Sequence, residues 1–338
     1  MEPDTQSAPR LFGRACAPAD AQLHLLAVPW DATSPRPGAG RAPAAIREAS
    51  QRIETFDHQT GLPHLGALAM IDPPPALAEL AAAARESATT IHAAVARGQT
   101  IDPADVELVE RAASAVHEWV GRQSAATIAA DKALAIVGGD HSAPLAAIEA
   151  LARRVPGLGV LHLGGHADLR RPSGPFTRTS HSLIHDLAIA CPGVSRIVQV
   201  GVRDLAADEA AMIRGSQGRI LTFFDADLQE RVLAGEPWRT IVASLLAPLP
   251  RHVHVSLTID ALTPEHGPQS ARRAPGGLSW AHLLSLLAAL VASGRTLLGF
   301  DLCEVTPARD PADTWDASVA ARLLARLCAL QLRSQHRI

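Results

Sequence analysis

Three short runs carry the side chains best suited to binding a cation: Gly138-Gly139-Asp140-His141-Ser142, Gly164-Gly165-His166-Ala167-Asp168 and Ser256-Leu257-Thr258-Ile259-Asp260. Each follows an apolar stretch with the pattern of a buried strand. In extended backbone successive side chains alternate faces, so Gly164, His166 and Asp168 are expected on one side of one strand end, and Thr258 and Asp260 on one side of another. His141 arrives from a third. Two imidazoles and two carboxylates would then meet in one pocket, like two halves of a metal site with one carboxylate missing from each. The same four side chains also suit a polar pocket that holds no ion.

The elements that must position them follow a rhythm. Apolar runs at 22–28, 66–71, 133–137, 159–163, 196–200, 219–223, 253–258 and 297–302 are expected as about eight strands. Helical spacing covers 77–97, 103–131, 144–153, 182–190, 206–214, 228–246, 280–292 and 317–332. Alternation of this kind predicts an α/β fold, a single three-layer α/β/α domain over residues 21–338 with a mainly parallel sheet and right-handed crossovers. Ligands in such sheets bind beyond the carboxyl ends of the strands, where all three runs lie. Residues 1–20 mix Pro, Ala and charge without a period and are expected as a flexible tail.

Composition narrows the chemistry. A net charge of -3 gives no basic footprint for nucleic acid, and no apolar tract is long enough to span a bilayer. The N-terminus, with Glu2 and Asp4, does not read as a signal peptide, so a cytoplasmic protein is expected. Cys16, Cys191, Cys303 and Cys328 are scattered with no Cys-x-x-Cys pair, which argues for reduced thiols. There is no tyrosine and one lysine, Lys132, which removes a tyrosine acid and leaves little room for Schiff-base chemistry.

Beyond the three runs, Val28-Pro29-Trp30-Asp31, Arg36-Pro37-Gly38-Ala39 before a short helix, Gly201-Val202-Arg203 and Asp301-Leu302-Cys303-Glu304-Val305-Thr306-Pro307 occur in the order and spacing of one family. Over nearly its whole length the chain resembles the ureohydrolase superfamily of arginases, agmatinases, guanidino-acid hydrolases and formimidoylglutamases. The resemblance implies an arginase-like fold, a homo-oligomer (trimer or hexamer), and an enzyme in which a hydroxide between two manganese ions attacks a guanidinium carbon. By position His141 and Asp168 would be ligands of one ion, and His166 and Asp260 of the other.

The chain departs from the family where that chemistry takes place. Asp-Ala-His-x-Asp is here Gly164 to Asp168, and Ser-x-Asp-x-Asp-x-x-Asp-Pro is here Ser256 to Pro264, so both bridging aspartates are replaced, by Gly164 and Thr258. Two carboxylates neutralise one divalent ion rather than two, which argues against binuclear manganese. The four remaining donors could hold one ion, a mixture that suits zinc, iron, cobalt or nickel better than manganese. Two further histidines, His162 and His254, lie on the same strands. Each pair of residues advances roughly 6 to 7 Å along a strand, so both are expected out of reach, as hydrogen-bonded core histidines.

On the substrate side, the resemblance makes His181 a proton shuttle and Glu304 the carboxylate that receives a guanidinium or amidinium, whose planar donors suit a carboxylate. It extends to Asp140 as a catalytic candidate and to Arg170 and Ser182 as substrate contacts. Arg170, Arg171 and Arg178 make the loop after Asp168 cationic, which fits an anionic substrate group or simply a solvated surface. Cys303 alternates away from Glu304 and is expected as a buried apolar residue. Three functions remain open. They are a divergent ureohydrolase with a mononuclear centre acting on a small guanidino or amidino molecule, a metal-free pseudoenzyme that binds a small molecule or regulates an active homologue, and a site repurposed in specialised metabolism.

Overall fold

Strands that are apolar on both faces require cover on both, and the helices supply it in two separate layers. The computed structural model describes residues 10–54, 56, 67–172 and 174–338. Among them are eight strands: β1 (Leu23–Val28), β2 (Leu68–Ile71), β3 (Ala133–Gly138), β4 (Leu158–Leu163), β5 (Val194–Val202), β6 (Ile220–Phe224), β7 (His252–Thr258) and β8 (Thr296–Cys303). They form one sheet in the order β2-β1-β3-β8-β7-β4-β5-β6, and every pairing is parallel. The fold is therefore the expected α/β sheet. Gly66, the expected start of the second strand, lies outside the described residues.

One face is covered by α1 (Ala42–Ser50), α7 (Asp225–Leu233), α8 (Trp238–Leu246), α9 (Trp280–Ala292) and α10 (Trp315–Ser334). The other carries α2 (Pro75–Ala96), α3 (Pro103–Ala129), α4 (Leu145–Arg154), α5 (Leu183–Ala190) and α6 (Ala207–Gly215). The helix expected over 228–246 is two helices. Gly235, at φ +84°, ends the first, and Pro237 caps the second, so an apolar period that runs across the break hides it. Of the expected N-terminal tail, residues 1–9 lie outside the described residues. Leu11 and Phe12 are buried, and the Phe12 amide donates to Ser50 Oγ at 3.1 Å.

The four central strands β3, β8, β7 and β4 are neighbours in the sheet, and their carboxyl ends deliver the candidate residues to one place. A polar row crosses the sheet beneath that place. Asp301, Ser256, His162, Gln199 and Thr222 are successive cross-strand partners on β8, β7, β4, β5 and β6.

Candidate functional site

Two glycines let β3 leave the sheet close against its neighbour. A Cβ at Gly139 would lie 2.0 Å from the Trp30 carbonyl oxygen, so this position tolerates no side chain. The Glu304 amide donates to the Gly139 carbonyl at 2.8 Å, which ties the exit of β8 to that of β3. His141 follows. Its amide donates to Glu304 Oε1 at 3.0 Å, its Nδ1 is 2.6 Å from Asp168 Oδ2, and its Nε2 is 2.8 Å from Ser256 Oγ. Burial opposes the charged imidazole, but Asp168 and Asp301 outweigh it and raise the His141 pKa above its ordinary value.

The expectation that Gly164, His166 and Asp168 share one face of an extended strand is corrected. Strand β4 stops at Leu163, and Asp168 adopts φ +51°, which turns its carboxylate back over the strand end. Residue 168 is held there by α5, whose first amides, Ile184 and His185, donate to its carbonyl at 3.0 and 3.1 Å. Beyond it, buried Glu209 of α6 accepts from the Leu169 amide at 3.0 Å and from Arg170 Nε at 3.3 Å. A Cβ at Gly164 would lie 2.7 Å from Thr258 Oγ1 and 2.9 Å from His162 Nε2, so any side chain there would require those two side chains to shift.

The expectation that His162 lies out of reach is corrected for the same reason. With Asp168 folded back, His162 Nε2 is 3.8 Å from Asp168 Oδ2 and the ring stacks on His141 at 5.1 Å between centroids. His162 is also a buried, hydrogen-bonded histidine, as expected. His254 is one as well, with Nε2 2.8 Å from Asp301 Oδ2.

The four expected ligands form two separate imidazole–carboxylate pairs. His141 meets Asp168, and His166 Nδ1 meets Asp260 Oδ2 at 2.7 Å. Thr258, at the vacant bridging position, donates its hydroxyl to Asp260 Oδ1. Burial works to raise both aspartates, but Arg272 and His141 hold Asp168 well below the usual carboxylate range, and His166 with Arg272 does the same for Asp260.

Arg272, which no sequence signal singled out, lies among these carboxylates. It comes from the loop between β7 and α9 and is 8 % exposed. Its Nη2 donates to Asp168 Oδ1, its Nη1 donates to Asp168 Oδ2 at 3.3 Å and to the Ser180 carbonyl at 3.5 Å, and Nη1 lies 3.6 Å from Glu304 Oε1. Its Nε is buried without a hydrogen-bond partner. Glu304, at φ +63°, is buried, which raises its carboxyl pKa against the pull of Arg272. Burial and the Glu304 charge push Asp140 up to about 7, while its Oδ1 accepts from the Ser142 amide and hydroxyl at 2.9 and 2.6 Å. Burial, with Arg272 nearby, lowers His181 to about 4, leaving it neutral at pH 7. Its ring stands 6.5 Å from that of His166.

The remaining candidates are engaged elsewhere. The Ser182 hydroxyl bonds within its own turn, to the Thr179 carbonyl at 3.1 Å and Asp186 Oδ2 at 3.2 Å. Arg170 is exposed and turned toward Glu209. Cys303 is buried, which raises its thiol well above the usual range.

Ligand atoms of His141, His162 and Asp168 lie within 4.8 Å of one another, near enough by spacing for a single ion. The hydrogen bonds oppose it. Gln199 Nε2 donates to the Ala167 carbonyl at 2.7 Å and to His162 Nδ1 at 3.0 Å, while Gln199 Oε1 accepts from Thr222. The amide cannot be turned without losing the Ala167 bond, which favours the His162 tautomer with its proton on Nε2, the atom that would have to ligate and one that is buried without a hydrogen-bond partner. Both Asp168 oxygens are engaged by Arg272. A binuclear manganese centre fits still less, with glycine and a hydrogen-bonded threonine at the bridging positions. As arranged, these residues do not fit a metal ion.

The description Arginase family matches residues 21–329. The chain is 30% identical over 301 residues to an N(1)-aminopropylagmatine ureohydrolase of Thermus thermophilus, covering 88% of this chain and 87% of that one. It is 26% identical over 299 residues to an agmatinase of Bacillus cereus, covering 87% of each. Among solved structures, an agmatine ureohydrolase of Thermoplasma volcanium superposes with a TM-score of 0.74 at 19% identity, over 98% of this chain and 96% of that one. A proclavaminate amidino hydrolase from Streptomyces clavuligerus gives 0.71 at 21% identity, over 96% and 97%.

Proposed function

Because this chain belongs to the Arginase family, we propose that it is a divergent ureohydrolase-type hydrolase acting on a carbon–nitrogen bond of a small guanidino, amidino or related molecule. One observation carries the substrate class. The pocket already holds a guanidinium, that of Arg272, on Asp168 and beside Glu304. A planar cation with paired N–H donors fits these carboxylates by shape as well as charge. A substrate would have to displace Arg272, and neutral His181 would then serve to carry a proton to or from the reacting nitrogen. Asp140, held protonated more readily than an ordinary aspartate by burial and the Glu304 charge, is kept as a second proton carrier. No step is assigned to a metal, since the residues as arranged do not fit one.

Arg272 also favours a second reading. A resident cation that already occupies the pocket suits a pseudoenzyme that keeps the fold to bind a small molecule or to join an active homologue. The two readings separate in an assay of urea and ammonia release from a panel of guanidino and amidino compounds, run both metal-free and with added manganese, zinc, cobalt or nickel. Turnover lost on Glu304→Gln is the expected result. No turnover of any compound under any metal condition, from protein that melts cooperatively, overturns the hydrolase.

A further inference from the structure

We propose that Arg272 is a tethered cation that takes the place of a metal ion in this pocket and keeps the Asp168 and Glu304 carboxylates closed to divalent ions and to guanidinium free in solution, so that only a substrate held by further contacts would displace it. The proposal rests on the assignment of the pocket above and not on whether the pocket turns over a substrate.

The first support is charge. Asp168, Asp260 and Glu304 are each at most 4 % exposed, and buried carboxylates need a compensating positive charge. With Gly164 and Thr258 at the bridging positions the ligands for two divalent ions are absent, and a single guanidinium of charge +1 supplies part of what is needed. The second is position. Arg272 engages both oxygens of Asp168, the carboxylate that also contacts His141 and faces His162, so it covers the lone pairs through which that three-residue group would ligate. The third is what the side chain gives up. Nε is left buried and unpartnered, so Arg272 is not placed to satisfy all its donors. Its charge accounts for its placement. Its neighbour Arg273 is exposed and, among the described residues, bonds to the carbonyls of its own loop, at Pro268 and Ser270. A divalent ion at the His141–His162–Asp168 group would stand beside this guanidinium and be repelled by it. Free guanidinium would compete with a group whose tether gives it an effective concentration of roughly millimolar or more.

The test uses full-length protein, wild type and Arg272→Ala, with two binding readouts. One is metal content after expression with added manganese, zinc or cobalt and exhaustive dialysis. The other is the melting temperature with 1 to 20 mM guanidinium chloride against equal sodium chloride, at roughly denaturant-free concentrations. Wild type is expected to retain no ion and to gain nothing from guanidinium. Arg272→Ala is expected to melt roughly 5 °C or more lower, because an unpaired buried carboxylate is left behind. It should regain much of that loss with guanidinium or with one retained divalent ion, and neither gain should survive Asp168→Asn. If Arg272→Ala does not fold, Arg272→Lys is used. A shorter point charge leaves the fork of Asp168 incompletely filled, and partial recovery by guanidinium is expected there too.

Wild type that holds one equivalent of metal through Asp168, with Arg272→Ala holding the same, overturns the proposal. So does a folded variant that responds to neither guanidinium nor metal. Failure here is distinct from failure of the hydrolase. Rescue in Arg272→Ala with no turnover anywhere sinks only hydrolysis, while metal-dependent turnover in wild type with Arg272 in place sinks only this proposal.

Discussion

At the scale of single residues, Gly164, Thr258 and Arg272 bear on the same group of carboxylates. Restoring carboxylates by Gly164→Asp with Thr258→Asp removes the threonine oxygen that would crowd a Cβ at 164, although His162 Nε2 still lies 2.9 Å from that Cβ and must give way. We expect this double variant to lose about 1–3 kcal/mol and to bind no manganese, because Arg272 still covers Asp168. Adding Arg272→Ala should allow up to two ions per chain, read by metal analysis after dialysis. A triple variant that takes up no more than the double would mean that the pocket has changed elsewhere. His141, Asp168, Asp260 and Glu304 were legible in the sequence because motif order fixes them. Arg272 was not. In the sequence it is indistinguishable from Arg273, within a loop with no period, and only the fold buries one and exposes the other. Charge counting came nearest to it, since buried carboxylates require some cation.

At the scale of elements, strand positions were readable because buried parallel strands are continuous apolar runs, and each observed strand overlaps an expected one. Where the chain leaves the sheet, that logic ends. Alternation could not foresee Asp168 at φ +51° or Glu304 at φ +63°, and these two turns decide what the pocket contains. The first turn depends on α6. Glu209 reaches back to accept from the Ala206 amide at 2.7 Å, from the Leu169 amide and from Arg170, so one carboxylate holds both the helix start and the strap behind Asp168. Glu209→Ala is expected to cost about 1–3 kcal/mol in urea unfolding. It should also speed proteolysis within 170–181 while leaving cleavage elsewhere unchanged. Equal acceleration throughout the chain would show that the residue supports global stability only.

At the scale of the whole molecule, one sheet carries two apolar layers that meet only through it, and no described helix is long and apolar enough to cross a membrane. Across this largely apolar sheet runs the polar row Asp301, Ser256, His162, Gln199 and Thr222. Gln199→Leu leaves His162 Nδ1 and the Ala167 carbonyl without their donor and should cost about 2–4 kcal/mol, two buried polar groups being stranded. Gln199→Leu with His162→Leu should cost less than the single change, yet lower amide-exchange protection in β4 and β5. Unchanged protection would mean that the row adds nothing beyond its own bonds. Apolar strands can slide past one another by a residue with little loss of burial, and such a slip turns every side chain to the wrong face. Where side chains bond across strands, as Gln199 does with His162 and Thr222 and as His254 does with Asp301, the bonds form in one alignment and make that slip costly for those strands. Side chains assembled beneath the candidate site thereby also favour, among near-equivalent compact arrangements, the one that becomes native.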